Sequence, residues 1–256
     1  MDDIYEVLLT KYHFLSVCQE RCLSDTNTDH QVREQRILDA AADLIIRQGY
    51  DKTTMSDVAE AVGVSRGIIY LHFDSKDKMF ESLVYRETLQ YGEAWLDYIE
   101  ADPLGGTIGG IYLAVLHAIS SRPLMQAMMR RDRRVFGSYL RKPDNLFSKM
   151  QGGSMWANTL RAMQAVGAVR QDIDPEVMAH IMEMMSYGMV SISDIKDPDE
   201  MPPYEVLMET MADMMDQIMT PEDGGNPEAG KALIRQLAEA TRGQFQPPKH
   251  DNDKNQ

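Results

Sequence analysis

The sequence is poor in cysteine and has no long apolar run. Its 256 residues include two cysteines, Cys18 and Cys22, too few for the disulfide framework of a secreted domain. No stretch approaches the roughly 20 apolar residues that a membrane helix needs. The acidic start, MDDIYEV, lacks the basic residues that open a secretory signal. We therefore expect a cytoplasmic protein with reduced thiols and no membrane partner.

Strand patterns and repeats are missing as well. Alternating β-branched runs are absent, and Ala, Leu, Met, Glu and Gln dominate. Apolar residues recur at helical spacing, and no repeat of about 20–50 residues is visible. The fold class predicted is all-α. We predict helices over about 33–47, 54–62, 65–73, 75–100, 105–120, 123–140, 145–166, 174–192, 204–219 and 231–242.

Positive charge is scarce overall but unevenly distributed. Lys and Arg number 26 against 40 Asp and Glu, which gives a formal net charge of −14. This balance argues against nonspecific coating of nucleic acid, although it allows a local site. Residues 31–80 are nearly neutral, with 7 basic and 8 acidic side chains. They include the stretch SRGIIYLHFDSKDKMF at 65–80, a candidate for gripping an anion.

The segment MSDVAEAVGVSRGIIYLHF has the layout of a helix-turn-helix. Ala59 is small enough for close helix approach, and Gly63 can adopt the left-handed conformation of a tight turn. Thr54 and Ser65 are candidate N-caps. Residues that we expect on the exposed side of the third helix are Ser65, Arg66, Gly67, Ile68, Tyr70 and His72. In a major groove the first of these would face base edges, and the others would reach phosphates.

The stretch ILDAAADLIIRQGYDKTTMSDVAEAVGVSRGIIYLHFDSKDKMF, residues 37–80, resembles the TetR family of bacterial transcriptional regulators, above all in its final Tyr-x-His-Phe-x-x-Lys. A weaker similarity covers GAVRQDIDPEVMAHIMEMMSYGM, residues 167–189. The resemblance implies a repressor that is released from a palindromic double-stranded operator by a small-molecule effector. The DNA contacts that it implies are Arg33, Thr53, Thr54, Ser65, Arg66, Gly67, Ile68, Tyr70, His72 and Lys76. Ile68 departs from the family, which commonly has threonine there, so it could touch a thymine methyl but could not donate a hydrogen bond.

The predicted domains follow from this resemblance. Residues 31–78 are the DNA-binding domain, and residues 79–243 are a helical domain that binds the effector and dimerises. Residues 1–30 are an N-terminal extension, either an extra helix or an arm. Residues 244–256 are a disordered tail.

Methionine is abundant in the C-terminal half. Of the 20 methionines, 11 lie between Met178 and Met219. Each alone is explained by a helix core, but together they exceed one buried stripe per helix. Thioethers adapt to irregular apolar surfaces. We therefore predict a homodimer through the helices near 176–192 and 204–219, as the family resemblance also implies.

Four arginines stand out in the acidic half. Arg130, Arg131, Arg133 and Arg134 could form a solvated face paired with carboxylates, or they could anchor an acidic effector. Side chains that could line an effector pocket are Tyr112, His117, Met128, Phe136, Trp156 and Met163. Such a lining would suit a hydrophobic or amphipathic acid.

Motifs for catalysis and metal binding are scarce. The sequence contains no glycine-rich phosphate loop and no nucleophile motif. A structural zinc site usually has four ligands, and Cys18 and Cys22 would share a helix face with His13 or His30 only by chance, so we interpret them as buried thiols. We expect no enzyme activity, cofactor or metal. The alternatives that stay open are a helical dimeric scaffold and an enzyme without DNA binding.

Overall fold

A computed structural model describes residues 25–143, 145, 147 and 154–242. Every regular element in these ranges is a helix, so the all-α prediction is confirmed. Residues 1–24, with both cysteines, and the predicted tail lie outside the described residues. The α-helices are α1 (Asp25–Gln48), α2 (Met55–Val62), α3 (Arg66–His72), α4 (Lys76–Ala101), α5 (Ile108–Ser120), α6 (Pro123–Arg130), α7 (Arg133–Phe136), α8 (Met155–Ala165), α9 (Pro175–Ser191), α10 (Tyr204–Met219) and α11 (Pro227–Arg242).

The chain divides into two compact units, and each is built from separate segments. The HTH unit comprises, among the described residues, 25–88, 127–143, Asn145 and Phe147. The bundle unit comprises 89–126 and 154–242. Helices α4 and α6 each begin in one unit and end in the other. The functional boundaries predicted from the sequence, 31–78 and 79–243, stay predictions.

The core of the HTH unit forms where α1, α2 and α3 meet α4. The predicted apolar face of α1 is buried at Ile37, Leu38, Ala41 and Ile45, and α2 and α3 contribute Val58, Val62 and Ile69. Phe73, Phe80 and Leu83 close the core from the side of α4. Burying each such side chain contributes about 1.5–3 kcal/mol. This buried core therefore supports α2 and α3.

The predicted helix 123–140 is interrupted. Arg131 has φ 48°, a left-handed conformation that ends α6, and the Asp132 carboxylate then accepts from the Arg134 amide at 2.8 Å to cap α7. A 3₁₀ turn, Gly137–Arg141, follows. The Tyr50 amide donates to the Val135 carbonyl at 2.7 Å. This segment is thereby fastened to the loop after α1.

Two other predicted helices begin at different residues. Helix α8 begins at Met155, where the Ser154 hydroxyl accepts from the Ala157 amide at 3.1 Å and caps it, whereas most of the predicted stretch before Ser154 lies outside the described residues. Helix α11 starts at Pro227 rather than 231, because the Asn226 side chain accepts from the Ala229 amide at 3.0 Å. Both are cap choices that a hydrophobic pattern does not resolve.

In the bundle unit, α5 and α10 pack closely through a carboxylate. Asp216 accepts from the Thr107 hydroxyl at 2.8 Å and from the Gly109 amide at 2.7 Å, at the start of α5. The negative charge matches the positive end of the helix dipole. Beside it, Gly109 lies so close to α10 that a Cβ there would overlap the Ala212 carbonyl and the Asp216 carboxylate.

No single described helix is long and apolar enough to cross a membrane; only the bent pair α5 and α6 meets that test jointly, on length and composition.

Candidate nucleic-acid interface

The turn between α2 and α3 is fixed by caps on both sides. Thr54 and Asp57 form a reciprocal capping box at the start of α2, with bonds of 3.2 and 2.8 Å. Gly63 ends α2 with φ 76° and ψ 36°, and its amide donates to the Ala59 and Glu60 carbonyls. The Ser65 hydroxyl accepts from the Ile68 amide at 3.4 Å and begins α3. The caps at Thr54, Gly63 and Ser65 therefore all support the same turn between α2 and α3.

The outer face of α3 is exposed where a groove-reading helix needs it. Ser65, Arg66, Gly67 and Tyr70 are exposed, and Ile68 is half-buried. The Arg66 guanidinium donates to the Tyr70 hydroxyl at 3.1 Å and lies 5.4 Å from the centre of its ring. This pair presents several N–H donors together with an aromatic face. Such a surface can reach base edges from the first turn and phosphates from the second.

Two of the expected contacts lie inside the fold instead. His72 is 3% exposed, so the expectation of an exposed His72 on α3 is wrong. Its ring packs against His30 of α1, with the ring centroids 4.0 Å apart and the rings tilted by 31°. Thr53 is 0% exposed, and its hydroxyl donates to the Gly49 carbonyl at 2.9 Å. The reason is the same for both: α1 and its C-terminal turn cover them.

The remaining expected contacts flank α3. Arg33 of α1 is exposed, as is Thr54 at the start of α2. Lys76, at the first position of α4, is half-buried; its ammonium lies 4.1 Å from the centre of the Tyr50 ring and 3.5 Å from the Asp51 carbonyl. Burial lowers the pKa of Lys76 below its ordinary value. The lysine is therefore held by the fold near the place where the family resemblance puts a phosphate.

Within the HTH unit, polar contacts join the α7 segment, residues 131–143, to the loop after α1 and to the start of α4. Asp77 accepts from the Tyr50 hydroxyl and forms an ion pair with Lys142. Asp51 accepts from the Ser138 amide at 3.0 Å and from its hydroxyl. These hydrogen bonds from Ser138 hold the pKa of Asp51 below its usual range. A cleft of about 270 Å³ opens beside Asp77, Tyr139 and Lys142.

The arginines near α7 belong to this unit. Arg131, Arg133 and Arg134 are exposed, and Arg130 is half-buried. Arg134 pairs with Asp132 at 3.0 Å. Pairing with a carboxylate is one of the two roles expected for this cluster.

The predicted effector-pocket residues are divided between the two units. Tyr112, His117, Trp156 and Met163 lie in the bundle unit, whereas Met128 and Phe136 lie in the HTH unit. The Tyr112 ring meets Trp156 edge-on at 5.6 Å, and its hydroxyl donates to the Met182 carbonyl. Burial raises the pKa of Tyr112 to about 12. His117 stacks on Tyr98 at 5.0 Å. The pocket as a whole stays a prediction.

Helices α9 and α10 expose large apolar side chains. These are Val177, Met184 and Tyr187 on α9 and Val206, Met214 and Ile218 on α10, each 43–55% exposed. The opposite faces are buried, at Met182 and Met189 on α9 and at Met208, Met215 and Met219 on α10. Both helices are therefore apolar on more than one side.

Sequence reasoning missed two features of the interface. Leu71, on α3, is 64% exposed, an apolar side chain beside Tyr70 with no core role. His30 and Glu34 of α1 lie beside His72. Their i, i+4 spacing was a usable signal, but their proximity to α3 required the packing of α1.

With this geometry described, the chain can be compared with known proteins. Residues 37–83 match the model of bacterial regulatory proteins, tetR family. The HTH-type transcriptional regulator AcrR of Shigella flexneri is 32% identical over 96 residues, covering 38% of this chain and 44% of that one. The HTH-type transcriptional repressor KstR2 of Mycolicibacterium smegmatis is 28% identical over 158 residues, covering 60% and 76%.

A solved structure agrees at the level of the fold alone. NalD, the secondary repressor of the MexAB-OprM multidrug efflux pump in Pseudomonas aeruginosa, gives a TM-score of 0.50 at 19% identity, over 76% of this chain and 99% of that one. Three curated relatives are matched over 44%, 25% and 33% of their own lengths, so the chain spans less than half of each. The family model matches the helix-turn-helix with its Tyr-x-His-Phe-x-x-Lys ending, so over residues 37–83 the chain is similar to bacterial regulatory proteins of the tetR family.

Proposed function

We propose that the protein is a homodimeric transcriptional repressor that binds a palindromic operator and releases it when a small molecule binds. The observation that carries this proposal is the capped α2–Gly63–α3 unit with Ser65, Arg66 and Tyr70 exposed on its outer face. Recognition helices of a two-fold dimer read half-sites one helical turn apart, about 34–36 Å. The proposed DNA contacts are those expected residues that are exposed, together with the half-buried Lys76. The exposed residues are Arg33, Thr54, Ser65, Arg66, Gly67 and Tyr70.

The dimer is proposed through α9 and α10. A monomeric protein rarely leaves large apolar side chains on two long helices uncovered. Covering Met184, Tyr187 and Met214 with the same surface of a second copy would bury them, because a two-fold interface pairs a surface with itself. The methionines suit such a surface because the flexible thioether fills irregular gaps.

The effector proposed is a hydrophobic or amphipathic acid, bound in the helical part of the chain, where Tyr112 and Trp156 supply aromatic surface. An effector that prefers a conformer with differently spaced recognition helices would release DNA by population shift, and DNA would weaken effector binding by the same factor. We place the protein in the cytoplasm and propose no enzyme activity, in keeping with a regulator.

The test measures binding of the purified protein to the DNA immediately upstream of its own gene. Fluorescence anisotropy reports the binding at several salt concentrations. Tyr70→Ala should abolish the sequence-specific complex. Lys78→Ala is the control, because Lys78 is exposed on α4, pairs with Glu81 at 3.0 Å and is not among the proposed DNA contacts. If a folded dimer finds no site there or in a genome-wide selection, the repressor is refuted and a helical scaffold takes its place.

A further inference from the structure

A cluster of three metal-ligand side chains joins α1 to the end of the recognition helix. His30 and Glu34 are four residues apart on α1, so they lie on one helix face. His72 is the last residue of α3. The candidate ligand atoms of these three side chains all lie within 4.8 Å of one another. Nothing in the repressor mechanism proposed above uses this cluster.

We propose that His30, Glu34 and His72 bind a divalent transition-metal ion. Two imidazoles and one carboxylate are ligands for Zn²⁺ and for neighbouring metals such as Ni²⁺ and Co²⁺, whereas Mg²⁺ and Ca²⁺ prefer oxygen. In a tetrahedral zinc site, bonds of about 2.0–2.1 Å place ligand atoms about 3.3 Å apart. The three groups therefore need to approach by about 1.5 Å at most.

Burial and exposure suit this approach. His72 is 3% exposed and fixed in place by the fold, Glu34 is half-buried, and His30 is exposed. The exposed imidazole is the one that can rotate, and it already lies against His72 with the rings tilted by 31°. The open side at His30 leaves a fourth position for water, as in three-ligand zinc sites.

The ion would link α1 to the C-terminal end of α3. A metal that binds only the folded state stabilises it by mass action. It would also change the local charge: with neutral imidazoles the cluster carries −1, and a dication makes it +1. That charge lies at the C-terminal end of α3, the proposed recognition helix, where it favours DNA phosphates. This second step rests on the proposed function; the metal site itself does not.

The experiment uses the full chain with Cys18→Ser and Cys22→Ser, which removes competing thiolates. Zn²⁺ binding is measured by competition with a chromophoric chelator, and unfolding is followed by circular dichroism. We expect one tight Zn²⁺ per chain and a Tm rise of about 5–10 °C at a free Zn²⁺ concentration about 100 times Kd. Mg²⁺ should produce no rise.

His30→Ala and Glu34→Gln should each remove the binding and the Tm rise without changing the metal-free Tm by more than a few degrees. His180→Ala is the matched control, since His180 and Glu183 also form an exposed His–Glu pair on a helix, at 3.9 Å, outside the cluster. Binding that survives His30→Ala and Glu34→Gln, or that is lost in His180→Ala, overturns the site.

DNA affinity separates this proposal from the proposed function. Operator binding should be about fivefold tighter or more with Zn²⁺ than with a chelator present, and His30→Ala should abolish the difference. Unchanged affinity in a protein that binds both ligands overturns the coupling while supporting the site. If no DNA binds with or without Zn²⁺, the repressor fails, and the titration alone decides the metal site.

Discussion

Arg66 and Tyr70 form a paired unit on the outer face of α3. The guanidinium donates to the hydroxyl at 3.1 Å, which orients the arginine before DNA arrives. Pre-orientation reduces the side-chain entropy lost when a contact forms. An arginine fork in this position can bond two acceptors on one guanine, the commonest specific contact in a major groove.

The first prediction separates base reading from phosphate binding. Arg66→Ala should relax sequence preference at one or two operator positions by about 1–3 kcal/mol. Lys76→Ala should instead weaken all sequences alike and reduce the salt slope by about one. Competition binding against single-position operator variants measures both effects. An Arg66→Ala protein that loses affinity uniformly would refute the assignment of Arg66 to a base edge.

At the residue scale, the sequence predicted which residues cap helices or lie exposed better than it predicted which residues are covered by distant parts of the chain. Local spacing in the sequence determines the caps at Thr54 and Ser65. It also determines the exposure of Arg66 and Tyr70, so these features could be predicted. Burial of Thr53 and His72 depends on α1 and its last turn, which cover them from a distance in sequence. The contact between the rings of His72 and His30 joins residues more than 40 positions apart, so no local sequence pattern could predict it.

At the scale of elements, glycines set how closely helices approach. Gly109 is the clearest case, because α10 occupies the space where its side chain would be. The sequence predicted a helix at about 105–120. The structure shows a packing role for Gly109 in this helix, since its missing Cβ admits the Ala212 carbonyl and the Asp216 carboxylate. Which helix would fill that space could not be predicted, because it depends on tertiary packing.

We predict that Gly109→Ala destabilises the protein by about 3 kcal/mol, because the new methyl group would force α5 and α10 apart and weaken the Asp216 bonds. A chain of this size should then lose about 10 °C in Tm. The control is Gly67→Ala, whose Cβ would lie at an ordinary 3.7 Å from the Ser65 hydroxyl. Thermal unfolding of both variants decides. An equal Tm for both would contradict the close packing of α5 on α10.

The fastening of the α7 segment should depend on pH. Hydrogen bonds from Ser138 lower the pKa of Asp51 from its ordinary 3.8. The ionised carboxylate therefore stabilises the folded state fully above pH 3.8 and loses this contribution as the pH falls through the folded-state pKa. Asp51→Asn should lower the urea midpoint at pH 7 and make no difference at a pH below both values.

Asp74→Asn is the comparison for this experiment, because Asp74 is also an exposed aspartate of the HTH unit but lies outside the α7 contacts. A gap between wild type and Asp51→Asn that stays constant from pH 7 to the most acidic condition would show that the Asp51 charge contributes nothing. The small size expected for an exposed group calls for midpoints measured in replicate at each pH.

At the scale of the whole molecule, a net charge of −14 must be reconciled with DNA binding. Overall repulsion weakens nonspecific association, and the nearly neutral stretch 31–80 leaves specific contacts intact. In the proposed dimer, two copies would double those contacts on one operator, so dimerisation would compensate for a weak single unit. The net charge of the chain and the apolar faces of α9 and α10 therefore both bear on the affinity of the proposed dimer for DNA.

Dimerisation through α9 and α10 gives the last prediction. Met184 is 55% exposed on α9, and in the proposed two-fold dimer it would lie in the interface twice. Met184→Lys should therefore remove two apolar contacts per dimer, about 3 kcal/mol or more, which raises the dimer Kd about 100-fold. Lysine also reduces the net negative charge, so a weaker dimer cannot be attributed to added repulsion.

Sedimentation equilibrium of Met184→Lys measures the dimer Kd, and Leu104→Lys is the control, because Leu104 is equally exposed, at 59%, but lies between α4 and α5. The Met184 variant should become monomeric at concentrations where the control is dimeric. Its operator affinity should fall with it, toward that of a single half-site. A Met184→Lys protein that stays dimeric and binds the operator normally would exclude this face as the interface, and the exposed methionines would then need another partner.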